Sequence, residues 1–289
     1  MNRWKGALAV VAAAALLASC SGGDDPSPTA QPTTPASGAT TTEAPSDATF
    51  PGSCEPGDLS DADYTVEFGE MGAAQDEWAG GLDRTWRHFL PFTFTNTMDV
   101  GCTFVVTFDL AVDGEAGKAT DGFSVPLKAG QSFHGQMFDL DGPLGLEDAE
   151  SASTSATLTA SVSEVGGTRY FGDYYDLSFE VGERDGVGSA TTVPVTVTTT
   201  AVAAGMPERL FTAYQDLYWL LGLDGDGDVI TVARNTQDAL TVPGETTIWF
   251  ALAGGGSSGF SRELMPMSTY DDVTSWTFVA KPQFTELDK

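Results

Sequence analysis

The stretch Cys102-Thr-Phe-Val-Val-Thr-Phe-Asp-Leu-Ala-Val112 carries the longest alternating pattern in the chain. Large apolar side chains recur at every second position, which is the period of a β-strand with one buried face. The pattern stops at Asp113-Gly114, a pair typical of a tight hairpin turn. The sequence therefore predicts a long strand that turns back on itself at residues 113–114.

Shorter runs of the same kind lie on both sides of this strand. They are rich in Thr, Val, Phe and Tyr and are separated by Gly, Asp and Pro, a composition typical of strands and turns. The runs are residues 64–68, 92–96, 123–127, 132–140, 156–162 and 175–181. About seven short strands at this spacing predict a β-sandwich over residues 50–186.

Part of this region resembles a known family. The matching features are Phe94-Thr-Asn96, the strand 102–112 with its Asp-Gly turn, and Val125-Pro126-Leu127 followed by Ala129-Gly130-Gln131. Together they resemble the FxLYD-type and related immunoglobulin-like domains of bacterial lipoproteins, although Ala111-Val112 stands where Tyr-Asp would follow Phe108-Asp109-Leu110. The resemblance covers about 50 residues. It implies an immunoglobulin-like sandwich and carries no ligand or catalytic residue with it.

A second, smaller β-rich domain is predicted at 190–289, after a Gly- and charge-rich boundary at 183–188. Strands are expected at 192–200, 229–232, 246–252 and 275–279. Residues 207–221 fit a helical stripe, but the dense apolar run at 217–221 equally fits a buried strand. One or two helical turns leading into a strand is the favoured interpretation.

The N-terminus has the three parts of a secretory signal peptide. Arg3 and Lys5 precede an apolar run at 7–18, which is too short for a membrane-spanning helix. The run ends in Leu17-Ala-Ser-Cys20, which resembles the bacterial lipobox. The resemblance implies cleavage after residue 19, a diacylglyceryl group on Cys20, and a protein held by lipid, such as palmitate, on the extracytoplasmic face of the cell membrane.

The segment after Cys20 predicts a tether. Residues 21–49 contain no aromatic residue and no aliphatic side chain larger than Ala, so little can be buried to offset the entropy of ordering. Five prolines stiffen a segment that reaches on the order of 100 Å when stretched. We expect residues 20–49 to be disordered and to hold the folded body away from the membrane.

Cys54 and Cys102 remain once Cys20 carries lipid. An exported protein is in an oxidising compartment, so a disulfide between Cys54 and Cys102 is expected. Neither has another Cys or a His close in sequence, which argues against a metal site.

The charge of the chain excludes some partners. Removal of residues 1–19 takes away Arg3 and Lys5. The remaining chain has 11 of the 13 Lys and Arg and all 41 Asp and Glu, which gives a net charge of −30. So acidic a chain lacks the basic surface that nucleic acid needs, and it does not favour docking on anionic lipid. It is compatible with a cationic ligand or a divalent ion.

Asp224-Gly-Asp226-Gly-Asp228 is the most suggestive candidate site, because alternating carboxylates supply the oxygen ligands that calcium prefers. An EF-hand loop that began at Asp224 would need Gly at its sixth position and Glu at its twelfth, but Val229 and Asn235 occupy these positions. A Gly/Asp hairpin turn is the favoured interpretation, and a weak calcium site is the alternative.

Three other motifs are weaker candidates. Gly255-Gly-Ser257-Ser-Gly259 matches a hydrolase nucleophile pattern, but His88 and His134 both precede it, so a flexible loop is favoured. Met265-Pro-Met267 would offer soft ligands to copper, but no His or Cys lies near it in sequence and Met also fills cores and interfaces, so a packing role is favoured. The basic, aromatic stretch 84–88 would suit an anion or a glycan, and a solvated loop is the simpler expectation.

These observations favour a non-enzymatic binding or interaction module of unknown ligand, displayed at the cell surface and requiring no cofactor. The alternatives are an enzyme acting on an extracellular or cell-wall polymer, and a structural or metal-buffering envelope protein. An exposed aromatic or flat face would favour the binding module, whereas a deep cleft with paired carboxylates would favour the enzyme.

Overall fold

The computed structural model describes residues 50–75, 86–137, 157–185, 192–206, 216–251 and 271–282. Fourteen strands and almost no helix make up these residues, which confirms the predicted mainly-β fold. The strands form three sheets of four, seven and three strands.

The four-stranded sheet has the order β1-β8-β5-β6. Its strands in chain order are β1 Gly57–Asp58, β5 Cys102–Val112, β6 Glu115–Leu127 and β8 Leu158–Arg169. β5 has the bounds that its alternation predicted, and it is hydrogen-bonded on both sides. The turn between β5 and β6 has φ of 51° at Asp113 and 81° at Gly114, the backbone that an Asp-Gly hairpin favours.

The seven-stranded sheet has the order β14-β11-β12-β7-β4-β2, with β3 also paired to β4. Its strands are β2 Tyr64–Phe68, β3 Gly72–Gln75, β4 Trp86–Asn96, β7 Ser132–Met137, β11 Asp216–Leu223, β12 Val229–Gln237 and β14 Ser275–Pro282. The apolar run at 217–221 is therefore in a strand, and the helical turns considered before it lie outside the described residues.

The three-stranded sheet has the order β13-β10-β9, formed by β9 Tyr175–Val181, β10 Thr192–Val202 and β13 Gly244–Ala251. All its pairings are antiparallel. Val193, Val195 and Val197 of β10 are buried, and the residues between them point to the opposite face.

Aromatic rings fill the space between the sheets. Six phenylalanines from the four-stranded and seven-stranded sheets form one cluster with ring centroids 4.8–5.7 Å apart: Phe92, Phe94, Phe104, Phe108, Phe123 and Phe133. Phe278 of β14 lies 6.0 Å from Phe179 of β9 and 6.3 Å from Phe250 of β13. Each half of the seven-stranded sheet therefore packs against a smaller sheet, as in a sandwich.

The predicted division at residues 186–190 is not confirmed. β9 before it pairs with β10 after it, and Val229 of β12 pairs in parallel with Phe133 of β7. Contacts gather Glu43–Lys289 into one compact unit. Local composition suggested a boundary, but strands from both predicted domains share sheets.

The disulfide between Cys54 and Cys102 is confirmed, with an S–S distance of 2.02 Å and Cα atoms 5.2 Å apart. Backbone hydrogen bonds accompany it, because the N–H of Cys54 donates to Gly101 O and the N–H of Gly101 donates to Gly52 O, both at 2.8 Å. The bridge fastens the start of the folded body to the first residue of β5.

Candidate functional site

The Asp-rich turn between β11 and β12 is organised by its own first carboxylate. Asp224 Oδ1 accepts hydrogen bonds from the backbone N–H groups of Asp226 and Asp228, both at 3.0 Å. Gly227 has a φ of 89°, a conformation that a glycine adopts without strain. The hairpin-turn interpretation accounts for Asp224.

Asp228 reaches from this turn to β7. Its Oδ1 accepts the N–H of Ser132 at 2.8 Å, and its Oδ2 lies 3.5 Å from His134 Nε2. Gln131 Nε2 adds a hydrogen bond to Gly227 O at 2.8 Å. Within the described ranges, no three His, Cys, Asp or Glu side chains are grouped to hold a metal ion. The structure thus does not bring Asp224, Asp226 and Asp228 together as calcium ligands.

A polar row crosses the outer face of the sheet beside this turn. Glu67, Thr93 and His134 are register partners on β2, β4 and β7, and Asp228 follows. Thr93 Oγ1 lies 3.0 Å from His134 Nδ1. Hydroxyl, imidazole and carboxylate stand in the order that activates a nucleophile. However, the depression over them, about 280 Å³, is open, and the N–H groups of β4 are used in sheet pairing on both sides. The polar row therefore lies on an open surface and not in an enclosed pocket.

A second open depression, about 550 Å³, is lined by Asp58, Asp61 and Glu164 beside Tyr64. Burial, reinforced by the hydrogen bond from the Tyr64 hydroxyl to Asp61, raises the pKa of Tyr64. Nearby, hydrogen bonds from the hydroxyl and the backbone N–H of Ser60 lower the pKa of Asp63. These acids line an open surface and do not form the deep cleft that would favour an enzyme.

The outer face of the three-stranded sheet has a different character. Of the large apolar side chains in the described ranges, Trp249 of β13 is the exposed one, with half of its surface (50%) open to solvent. Its chain neighbours Ile248 and Phe250 are fully buried. Sheet alternation therefore turns Trp249 outward, away from the core. We call the surface formed by the outward residues of β9, β10 and β13 the Trp249 face.

Three adjacent rows run across the middle of the Trp249 face. The first is apolar and consists of Trp249, its register partner Pro194, and Gly182, whose N–H donates to Pro194 O at 2.8 Å. The other two rows are polar. They are Thr247–Thr196–Glu180 and Glu245–Thr198–Ser178.

The hydroxyls within the polar rows contact their neighbours. Thr196 Oγ1 lies 3.4 Å from Thr247 Oγ1, and Thr198 Oγ1 donates to Glu245 Oε2 at 3.4 Å. No Lys or Arg occurs in β9, β10 or β13. The nearest cation in sequence, Arg184, is paired with Asp271 at 3.0 Å. The face thus offers one aromatic ring, hydroxyls and carboxylates.

Sequence reasoning predicted the strand that carries Trp249 but did not single out this residue. The sequence contains the pattern that identifies it. Ile248 and Phe250 on either side of Trp249 are apolar, whereas Thr247 and Ala251, two positions away and on the same strand face as Trp249, are small. The alternation therefore identifies Trp249 as an outward residue of this strand.

Other predicted site residues have mixed outcomes. His88 is buried within β4, which begins at Trp86, so the predicted solvated loop over 84–88 is wrong from residue 86 onward. Cys20, the tether 20–49, the glycines 255–259 and Met265 with Met267 lie outside the described residues. No helix in the described ranges is long and apolar enough to cross a membrane. No known family model matches this chain, and no curated protein sequence matches it.

Proposed function

We propose that this chain is a lipid-anchored, non-enzymatic binding module on the extracytoplasmic face of a bacterial cell membrane. The signal-like segment 1–19 and the lipobox-like ending at Cys20 support the anchor. The Pro-, Thr- and Ser-rich segment 21–49 suits a tether between the lipid and the folded body.

The Trp249 face carries the binding part of this proposal. Trp249 is half-exposed on this face, and tryptophan is enriched at the centres of binding surfaces. The face is also preformed, because its strands are held by the buried valines beneath, so binding requires little ordering. We therefore assign the ligand-contacting surface to the Trp249 face and the ligand to the cell envelope.

Cell fractionation and envelope binding of the full chain test this proposal together. In cells given labelled palmitate, we expect the label on the wild-type chain in the membrane fraction. Cys20→Ala should lose the label and either appear in the medium or remain uncut. The purified lipidated chain in detergent should sediment with cell envelopes, and Trp249→Ala should reduce this binding.

His134→Ala is the matched control, since this half-exposed side chain lies on another sheet. It should sediment with envelopes like the wild type. A label that survives Cys20→Ala would contradict the anchor. Envelope binding that is unchanged in Trp249→Ala would contradict the assigned surface.

A further inference from the structure

We propose that the Trp249 face binds an uncharged glycan chain, with one sugar ring stacked on Trp249 and its hydroxyls on the two polar rows. This inference rests on the proposed binding function and names the chemical class of the ligand. It follows from the combination of groups on the face and from what they exclude.

The apolar row is suited to the carbon–hydrogen face of a sugar ring. The tryptophan ring carries a negative π face that attracts weakly positive C–H groups. The row continues across Pro194 to Gly182, where an added Cβ would lie 2.8 Å from Pro194 Cγ. This strip crosses two strand spacings, roughly 10 Å, which suits an elongated ligand.

The polar rows are suited to hydroxyl groups. They lie roughly 7 and 14 Å along the strands from Trp249, since alternate residues of a strand are about 7 Å apart. Thr196, Thr198 and Thr247 both donate and accept hydrogen bonds, whereas Glu180 and Glu245 only accept when ionised. A ligand with many hydroxyl donors matches this set.

The charge of the face disfavours anionic polymers. With Glu180 and Glu245 on the face and no Lys or Arg in its strands, phosphate-bearing or carboxylate-bearing chains are repelled. Anionic lipid surfaces are disfavoured for the same reason. A neutral chain meets no such penalty.

A folded protein partner fits less well. Stable protein interfaces bury about 800 Å² per partner around several large apolar or aromatic anchors. The Trp249 face offers one aromatic anchor surrounded by Thr, Ser and Glu. A slender chain needs only this one stacking platform with hydrogen-bonding groups beside it.

Binding of defined hexasaccharides to the full lipidated chain in detergent tests the inference. The probes are the hexamers of β-1,4-linked glucose and N-acetylglucosamine, with the hexamer of galacturonic acid as the anionic comparison. We expect a neutral hexamer to bind and to change the tryptophan fluorescence. Trp249→Ala should weaken this binding by at least about tenfold, and Trp249→Phe should weaken it less.

Thr196→Val tests the polar rows, with Thr65→Val on the exposed face of β2 as its matched control. We expect a several-fold loss for Thr196→Val and no change for Thr65→Val. Unchanged secondary structure by circular dichroism verifies that the variants fold.

Each of the following outcomes would overturn the inference: neutral binding unaffected by Trp249→Ala, preference for the galacturonic acid hexamer, or a dimer of the chain that Trp249→Ala dissociates. If neither neutral hexamer binds while Trp249→Ala still abolishes envelope binding, the glycan inference fails and the proposed function stands. If envelope binding is also insensitive to Trp249, the proposed function fails as well.

Discussion

At the residue scale, Tyr170 illustrates how burial sets the behaviour of one side chain. It is only 6% exposed and lies against two glycines, since an added Cβ at Gly101 or Gly172 would approach the Tyr170 side chain within 2.7 or 2.2 Å. Burial, with a smaller contribution from the negative charge of Asp173, raises the pKa of Tyr170 well above its usual value of 10.0. The folded protein therefore keeps this phenol neutral in alkaline solution.

This pKa shift predicts a loss of stability at high pH. Above pH 10 Tyr170 ionises in the unfolded chain but stays neutral in the folded chain, which favours unfolding. The free energy of unfolding is therefore unaffected by Tyr170 below pH 10 and decreases as the pH rises above 10. Phenylalanine cannot ionise, so the free energy of unfolding of Tyr170→Phe should fall less than that of the wild type. At pH 11 we expect the two losses to differ by about 1 kcal/mol. Urea unfolding of both proteins at pH 8 and pH 11 measures this; parallel losses would contradict the assignment.

At the element scale, the junction of β7 and β12 depends on side chains. These strands share a single register pair, Val229 with Phe133, so the sheet ladder contributes little there. Asp228 and Gln131 supply hydrogen bonds at the same point. The motif that suggested calcium from sequence therefore serves to join two parts of the sheet.

Removing the Asp228 carboxylate should weaken this junction. Asp228→Ala leaves the N–H of Ser132 without its acceptor, and we expect the free energy of unfolding to fall by about 1–3 kcal/mol. Asp226→Ala is the matched control in the same turn, because Asp226 is exposed and contributes a backbone N–H that the substitution retains. It should cost less than about 0.5 kcal/mol. Equal losses in urea unfolding would show that the contact is unimportant.

The elements also show what the sequence predicts well. Strand β5, the Asp113-Gly114 hairpin and the Cys54–Cys102 pair follow from local alternation, turn chemistry and the cysteine count. The pairing of β7 with β12 joins residues almost a hundred positions apart, and no local period encodes it. Likewise, alternation places Trp249 on the face opposite to Ile248 and Phe250, but the exposure of Trp249 depends on the packing of the sheets.

At the scale of the whole molecule, the shared seven-stranded sheet links both predicted domains. Its strands come from before and after residues 186–190, and a smaller sheet packs against each half. Separate unfolding of the two predicted domains would also require breaking the ladder between β9 and β10, which extends over the whole of β9. We therefore expect the body to unfold as one cooperative unit.

Reduction of the Cys54–Cys102 disulfide tests this expectation. The bridge closes a loop with a sequence separation of 48, so reduction should lower the free energy of unfolding by roughly 4 kcal/mol. Circular dichroism and tryptophan fluorescence should give one coincident transition in guanidinium, before and after reduction. A Cys54→Ala/Cys102→Ala variant should behave like the reduced protein. Two separate transitions would contradict the single unit.

The same bridge determines how a pulling force would travel through a tethered body. Load entering from the N-terminal side reaches Cys54 and passes through the sulfur atoms directly to Cys102, at the start of β5. The chain between the two cysteines would span about 160 Å if extended, but it cannot be extended while the bridge is intact. Strands β1 to β4 lie within this protected length. Shear on such a body would therefore bear on β5, which is bonded along both edges to β6 and β8, and would leave β1 to β4 unloaded.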